Sequence, residues 1–204
     1  MLSQIRPAIV LLVLFTALTG LAYPLAITGI AQLVMPNQAN GSLLTTSAGP
    51  VGSALIGQNF ATDKYFHPRP SATQAQDPAH PDDSSKTIDA PYNAANSTGS
   101  NLGPTSQKLI DRVKASVDAM HAAGATGVIP ADAATTSASG LDPHISPENA
   151  LAQVAAVAKA RNLPEDKVRA VVEGNTQGRF LGLIGEPRVN VLRLNMALDA
   201  MTSS

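Results

Sequence analysis

The chain has 204 residues, a net charge of −1, 14% charged and 3% aromatic residues, and no cysteine. Its length allows one domain of ordinary size plus a further segment. The near-neutral charge provides no broad basic surface, which argues against nucleic-acid binding. The lack of cysteine excludes disulfides, zinc–thiolate sites and a thiol nucleophile.

The first long feature is an uncharged apolar segment. No Asp, Glu, Lys or Arg occurs between Arg6 and Asp63, and residues 7–35 are mostly apolar. As a helix this segment would extend about 43 Å, more than the ~30 Å hydrocarbon core of a bilayer. We predict one transmembrane helix over residues 7–35, with a bend near Pro24. The alternative is a signal peptide cleaved after a small-residue site at 20–22, but apolar sequence continues well beyond it.

Orientation follows from the position of the charges. Arg6 and the amino terminus are the only positive charges close to the apolar segment. Positive charge favours the cytoplasmic side of a membrane, so residues 1–6 are expected in the cytoplasm. Residues 36–62 are then a membrane-proximal linker and turn, and residues 63–204 a soluble, extracytoplasmic domain. The spacing of Gly52 and Gly57 resembles a phosphate-binding loop, but Gln58 and Asn59 stand where Lys and Ser or Thr are needed, which favours an ordinary turn.

A proline-rich segment over residues 63–103 predicts turns and extended backbone. Within it, "YFHPRPSA" at 65–72 places Tyr65, Phe66 and Arg69 on stiff backbone. Aromatic and arginine side chains of this kind suit a docking surface for a partner. They suit equally well an anchor that holds the loop on its own domain, and the sequence leaves both open.

The remaining pattern predicts a helix-rich α/β domain. A helix with Pro104 in its first turn and His121 in its last is expected over residues 104–123, and a short strand at Val128–Ile129. Helices also follow from Pro147 to about Arg161 and from Pro164. Residues 174–199 predict a strand that includes the apolar run 180–184, a turn, a second strand or extended segment over 189–194, and a terminal helix capped by Asn195. Leu192, Met196 and Asp199 would also suit a helix, so strand and helix both stay open there.

The stretch "GLDPHISPENA" at 140–150 contains residue types of a hydrolase or metal site. Ser146, Pro147 and Glu148 have a simpler explanation, because they are a capping residue, a first-turn proline and an acid at the positive end of the helix dipole. A metal site formed by Asp142 and His144 would need Glu148 as its third ligand. Glu148 would then have to leave its favourable position at the start of the helix, so no metal site is predicted. We interpret the stretch as a helix start, and predict partner contact as the functional role of Asp142 and His144.

Five segments together resemble the C subunit of the Kdp-type potassium-transporting P-type ATPase. They are "GSALIGQNF", "YFHPRPSA", "TGSNLGPTSQ", "IPADAATTSASGLDPHISP" and "GRFLGLIGEPRVNVLRLNMALD". The order and spacing of "SGLDPHISP" and "GEPRVNVL" are specific to that family. Two departures are Asn175, where the family pattern has histidine, and Ala138, where it has glycine.

The resemblance implies a non-catalytic subunit of an ATP-driven potassium uptake complex in the bacterial inner (plasma) membrane. Expected partners are a channel-like potassium-binding subunit and an ATP-hydrolysing pump subunit, with a small further membrane subunit as a candidate. It also implies a catalytic chaperone that raises the ATP affinity of the pump subunit. No intrinsic cofactor is expected, but ATP would be shared transiently, with Gln177 and Arg179 as the nucleotide contact. That contact conflicts with an extracytoplasmic domain, because ATP is cytoplasmic.

Two other function classes remain as alternatives. The first is a membrane-anchored extracytoplasmic hydrolase that uses His144 with Asp142. The second is a free binding domain released by signal peptidase. The resemblance favours the transport subunit over both.

Overall fold

The computed structural model describes residues 2–202. The chain divides into two compact units, one that ends at Ser53 and one that begins at Ala54. Within the described residues, one helix, Ile5–Val34, is long and apolar enough to cross a membrane, and none of its most apolar stretch is buried. A helix that could cross a membrane is therefore present where the sequence predicts one over residues 7–35.

This long helix is not uniform. It consists of α1 (Ile5–Ala17), a π-helical turn (Leu18–Ala22) and α2 (Tyr23–Val34). The π-helical turn ends two residues before Pro24, whose missing N–H cannot donate to the preceding turn. The hydroxyl of Thr19 donates to the carbonyl of Phe15 at 2.7 Å. The irregularity expected near Pro24 thus takes the form of a widened helical turn.

The segment predicted as a linker contains regular structure. A short helix α3 (Pro36–Ala39) is followed by a hairpin of β1 (Leu43–Thr46) and β2 (Gly49–Ser53). The second unit then begins at Ala54, nine residues before the predicted boundary at 63. The reason is that Gly57 donates a backbone hydrogen bond to Leu141, 2.8 Å away, and Phe60 packs against the core.

The second unit combines helices with short strands. Its elements are β3 (Gln74–Gln76), β4 (Thr87–Asp89), α4 (Gln107–Ala122), α5 (Ala131–Ala134), β5 (His144–Ile145), α6 (Pro147–Arg161), α7 (Glu165–Gly174), β6 (Thr176–Gln177), β7 (Arg188–Asn190) and α8 (Val191–Thr202). Strands β3 and β4 form a hairpin, and β5, β7 and β6 form a sheet with β7 in the centre. Every strand pairing in residues 2–202 is antiparallel. The predicted mixture of helix and strand is confirmed.

The core lies among α6, α7, α8 and the three-stranded sheet. Each of these helices contributes apolar side chains spaced three or four residues apart, so that they share one face. The buried members are Phe66, Ile145, Ala150, Val154, Val157, Ala158, Val168, Val172, Val189, Val191, Leu194 and Leu198. Full burial of a large apolar side chain contributes about 1.5–3 kcal/mol, so this cluster dominates the stability of the unit.

Several predicted boundaries are wrong. Helix α4 begins at Gln107 rather than at Pro104. No strand forms at Val128–Ile129, where no neighbouring strand is available for pairing and Val128 is 96% exposed. The apolar run 180–184 forms a turn instead of a strand. The last strand ends at Asn190 and α8 begins at Val191, so most of 189–194 takes the helical alternative rather than the strand.

Asn195 does not cap the terminal helix. It lies inside α8 and is 1% exposed, whereas Asn190 accepts a hydrogen bond from the N–H of Arg193 at 3.1 Å and so performs the capping role. The amide of Asn195 instead binds the segment around Phe66.

Candidate functional site

The extended backbone at 66–67 is held by two side-chain amides. Asn195 accepts from the N–H of Phe66 at 2.9 Å and donates to its carbonyl at 3.1 Å. Gln153 does the same for His67, accepting at 2.7 Å and donating at 3.2 Å. These paired bonds replace the ladder that a neighbouring strand would supply, because buried backbone groups need partners. They fix the loop onto α6 and α8.

The ring of Phe66 lies in the centre of the core. It is 0% exposed, so it has no surface with which to contact another protein. The structure therefore corrects the predicted partner contact at Phe66 in favour of the anchor alternative. Sequence reasoning could not separate the two, because the burial depends on Asn195, 129 residues away in the chain.

Tyr65 occupies the edge of the same segment. Its hydroxyl donates to Asp199 at 3.2 Å, and the guanidinium of Arg161 lies 4.9 Å from its ring centroid. Arg161 also pairs with Asp199 at 2.8 Å. Burial and the nearby Asp199 carboxylate raise the pKa of Tyr65, against the lowering effect of Arg161. Partner contact at Tyr65, which is half-buried, stays a prediction.

Arg69 links the segment to the loop that precedes α6. Its Nη1 lies 3.1 Å from Oδ2 of Asp142, and it donates to the carbonyls of Thr135 and Thr136 at 3.4 and 3.3 Å. Arg69 and Asp142 also line an open depression of about 590 Å³ beside the exposed side chain of Leu55. Charged groups next to an exposed apolar side chain are compatible with the predicted partner contacts.

Asp142 shapes the turn before α6. Its Oδ1 accepts from the N–H of His144 at 2.9 Å and lies 3.5 Å from Nδ1 of the same residue. Burial alone would raise the pKa of Asp142, but the hydrogen bonds from His144 and the charge of Arg69 outweigh it and hold the pKa below its usual value. Asp142 is therefore a carboxylate at neutral pH, oriented by two basic residues.

Ser146 caps α6 as predicted, and a missed residue completes the cap. The Ser146 hydroxyl accepts from the N–H of Asn149 at 3.1 Å and donates to Oδ1 of Asp132 at 2.8 Å. Asp132 also accepts from the N–H of Ser146 and the amide of Asn149, at 2.8 and 3.0 Å. Although burial opposes it, these bonds lower the pKa of Asp132. The sequence carries no signal for this contact, because 14 residues separate Asp132 from Ser146.

This geometry bears on the hydrolase alternative. A serine nucleophile must contact its base, and the base must be oriented by a third group. Asp142 and His144 are adjacent, but the hydroxyl of Ser146 is already committed to Asp132 and the helix cap. Across residues 2–202, no group of three or more His, Asp or Glu side chains is placed to hold a metal ion. The stretch at 140–150 therefore contains a capped helix start and the ion pair of Asp142 with Arg69, and the hydrolase alternative stays a hypothesis.

Comparison with known proteins identifies the family. Residues 5–200 match the family described as "KdpC: K+-transporting ATPase, c chain". The chain belongs to the KdpC family. It is similar to a protein named potassium-transporting ATPase KdpC subunit from Bradyrhizobium diazoefficiens, at 63% identity over 98% of both chains. Proteins of the same name from Rhodopseudomonas palustris strain BisB5 and Methylorubrum extorquens are 61% and 60% identical, over 99% and 97% of both chains.

Of the residues that the KdpC resemblance assigns to nucleotide contact, Gln177 is the last residue of β6 and Arg179 lies in the connection from β6 to β7. Gln177 accepts weakly from Arg188 at 3.4 Å, and Arg179 pairs with Glu186 at 2.7 Å. At the position where the family pattern has histidine, the amide of Asn175 donates to Val171 at the end of α7, 2.8 Å away. Each of these groups has a partner within its own domain, and nucleotide contact stays a prediction.

The same connection presents an exposed apolar turn, Phe180–Ile184, which we call the apolar knob. Four large side chains are mostly exposed: Phe180 by 68%, Leu181 by 77%, Leu183 by 82% and Ile184 by 66%. Sequence reasoning missed this feature because an apolar run of five residues looks like a buried strand. The knob thus places four large exposed apolar side chains on one turn.

Proposed function

We propose that the chain is a non-catalytic subunit of a high-affinity, ATP-driven potassium uptake complex. It helps to assemble and stabilise a potassium-binding, channel-like subunit and an ATP-hydrolysing subunit, and a small further membrane subunit is a candidate third partner. The match to the KdpC family over residues 5–200 is the observation that carries the proposal. The relatives' names also specify a potassium-transporting ATPase.

The membrane helix supports a role in assembly. The most apolar stretch of Ile5–Val34 has no buried residues, so lipid or partner helices must cover it. Gly20 and Gly29 have no neighbouring atom that an added Cβ would meet, which leaves room for close approach of another helix. We propose that the helix packs against partner helices in the inner membrane.

The folded unit is proposed to lie outside the cytoplasm. Arg6 is the one charged side chain before Asp63, and positive charge at the end of a span favours the cytoplasmic side. With this orientation a direct contact of Gln177 and Arg179 with cytoplasmic ATP is impossible. Any increase in the ATP affinity of the pump subunit would then have to pass through the subunits that cross the membrane.

Paired variants separate the transport subunit from the hydrolase alternative. We expect Asp142→Asn and His144→Ala to reduce co-purification of the complex or its apparent potassium affinity, because Asp142 ties Arg69 to the turn before α6. The matched controls Asp118→Asn and His121→Ala change the same residue types on exposed positions of α4 and should leave both quantities unchanged. A hydrolytic activity of the isolated chain that disappears in the first two variants would contradict the proposal.

A further inference from the structure

The apolar knob is a continuous cluster of exposed apolar side chains rather than a single exposed residue. Single exposed apolar residues are common on soluble domains, but a cluster of large ones on one turn marks a contact surface. Four such residues lie within five positions, on a connection that projects between β6 and β7. No residue of the core cluster comes from this turn.

The knob is also held in one shape. The N–H of Phe180 donates to the carbonyl of Ile184 at 2.8 Å, and the reverse bond measures 3.0 Å. Gly182, and Gly185 just after the knob, have φ values of +74° and +84°, which glycine adopts without strain, whereas the φ of +52° at Leu181 is uncommon for a side chain of that size. A preorganised surface loses little conformational entropy on binding. A surface of fixed shape can fit a protein pocket of matching shape. Insertion into a fluid lipid bilayer does not require a fixed shape.

The charges at the base of the knob indicate a protein partner. Arg179 and Glu186 form an ion pair there at 2.7 Å, and Glu186 is still 78% exposed on its side chain. Exposed Arg188 lies nearby, where it donates to Gln177. An anionic lipid surface attracts clustered basic residues and repels an exposed carboxylate. A base with both signs of charge is better matched by the polar rim of a protein interface.

The size of the knob favours a contact within an already tethered assembly. Stable interfaces between free proteins use about 20–30 residues on each side, far more than this turn provides, which argues against a second copy as the occupant. A subunit that is held in the membrane by its own helix works at a high effective concentration, so a small second contact is sufficient.

We propose that the apolar knob inserts into an apolar pocket on another subunit of the potassium-transporting complex. The proposal rests on the function proposed above and adds the surface through which the folded unit contacts its partner. The partner surface has an apolar centre and a polar rim with both positively and negatively charged groups.

Photo-crosslinking in the assembled complex identifies the molecule that contacts the knob. Leu183→benzoylphenylalanine should form a covalent adduct with another subunit, whereas the control Val128→benzoylphenylalanine, at a 96% exposed position elsewhere, should not. Adducts of the Leu183 variant with lipid alone, with a second copy of this chain, or with nothing would each overturn the proposal.

A charge substitution tests the same contact by affinity. Leu183→Asp should raise the apparent dissociation constant of the chain for the rest of the complex about tenfold, the typical effect of losing an apolar anchor, and so lower its co-purification. Val128→Asp should leave it unchanged, and both variants should melt like the parent chain because both positions are exposed. Equal retention of Leu183→Asp and the parent would overturn the knob proposal alone. Failure of the parent chain to co-purify would instead overturn the proposed function.

Discussion

Replacing Phe66 with alanine should lower the free energy of unfolding of the folded unit by about 3–5 kcal/mol, the usual result of truncating a buried aromatic side chain. The ring is fully buried among α6, α7 and α8, and neighbouring side chains cannot collapse into the space because the backbone of Phe66 is held by Asn195. Thermal unfolding of the detergent-solubilised chain, followed by far-ultraviolet circular dichroism, measures the effect.

The matched control is Phe180→Ala, which removes the same side chain from a position that is 68% exposed. Its stability should change by no more than about 0.5 kcal/mol. If Phe66 were a docking residue, as its sequence context equally allows, Phe66→Ala would leave the melting temperature of the isolated chain unchanged and weaken only assembly. That result would contradict the anchor role.

Gly57→Ala should destabilise the folded unit by about 3 kcal/mol, at the upper end of the range for overpacking. A Cβ at Gly57 would overlap the ring of Tyr92 and lie 2.7 Å from the carbonyl oxygen of Asp142. Tyr92 cannot move away easily, because its hydroxyl donates to the carbonyl of Arg69 at 2.9 Å. Burial also raises the pKa of Tyr92, so it stays protonated.

Gly103→Ala provides the comparison for Gly57→Ala. A Cβ at Gly103 meets no atom within 4 Å, so this substitution should be neutral within about 0.5 kcal/mol. Parallel urea or thermal unfolding of the two variants measures the difference. Equal stability of the two would show that the turn at Gly57 can shift away from Tyr92, against the packing described here.

The elements that the sequence predicted are those fixed by local chemistry. The apolar helix Ile5–Val34 follows from the uncharged apolar run after Arg6, and α6 follows from the serine cap and the proline at 147. Helix α7 begins directly after Pro164, again as predicted. In each case the deciding residues are neighbours in the chain, so no knowledge of the tertiary fold is needed.

The features that the sequence could not provide depend on distant residues. Asp132 completes the cap of α6 only because the loop returns to Ser146, and Asn195 binds Phe66 across 129 positions. The apolar turn 180–184 and the residues at 128–129 have the composition of strands but lack a neighbouring strand for pairing. In the candidate site, the sequence indicated Arg69 and Asp142 as contact residues. It did not indicate that the two side chains pair with each other.

The sidedness of the folded unit is tested most directly by thiol labelling in intact cells, since the chain contains no native cysteine. Ser85→Cys places a thiol on an exposed turn of the folded unit, and Ser3→Cys places one before the span. We expect a membrane-impermeant maleimide to label Ser85→Cys in intact cells and Ser3→Cys only after permeabilisation. Labelling in the reverse pattern would put the folded unit on the ATP side and contradict the account.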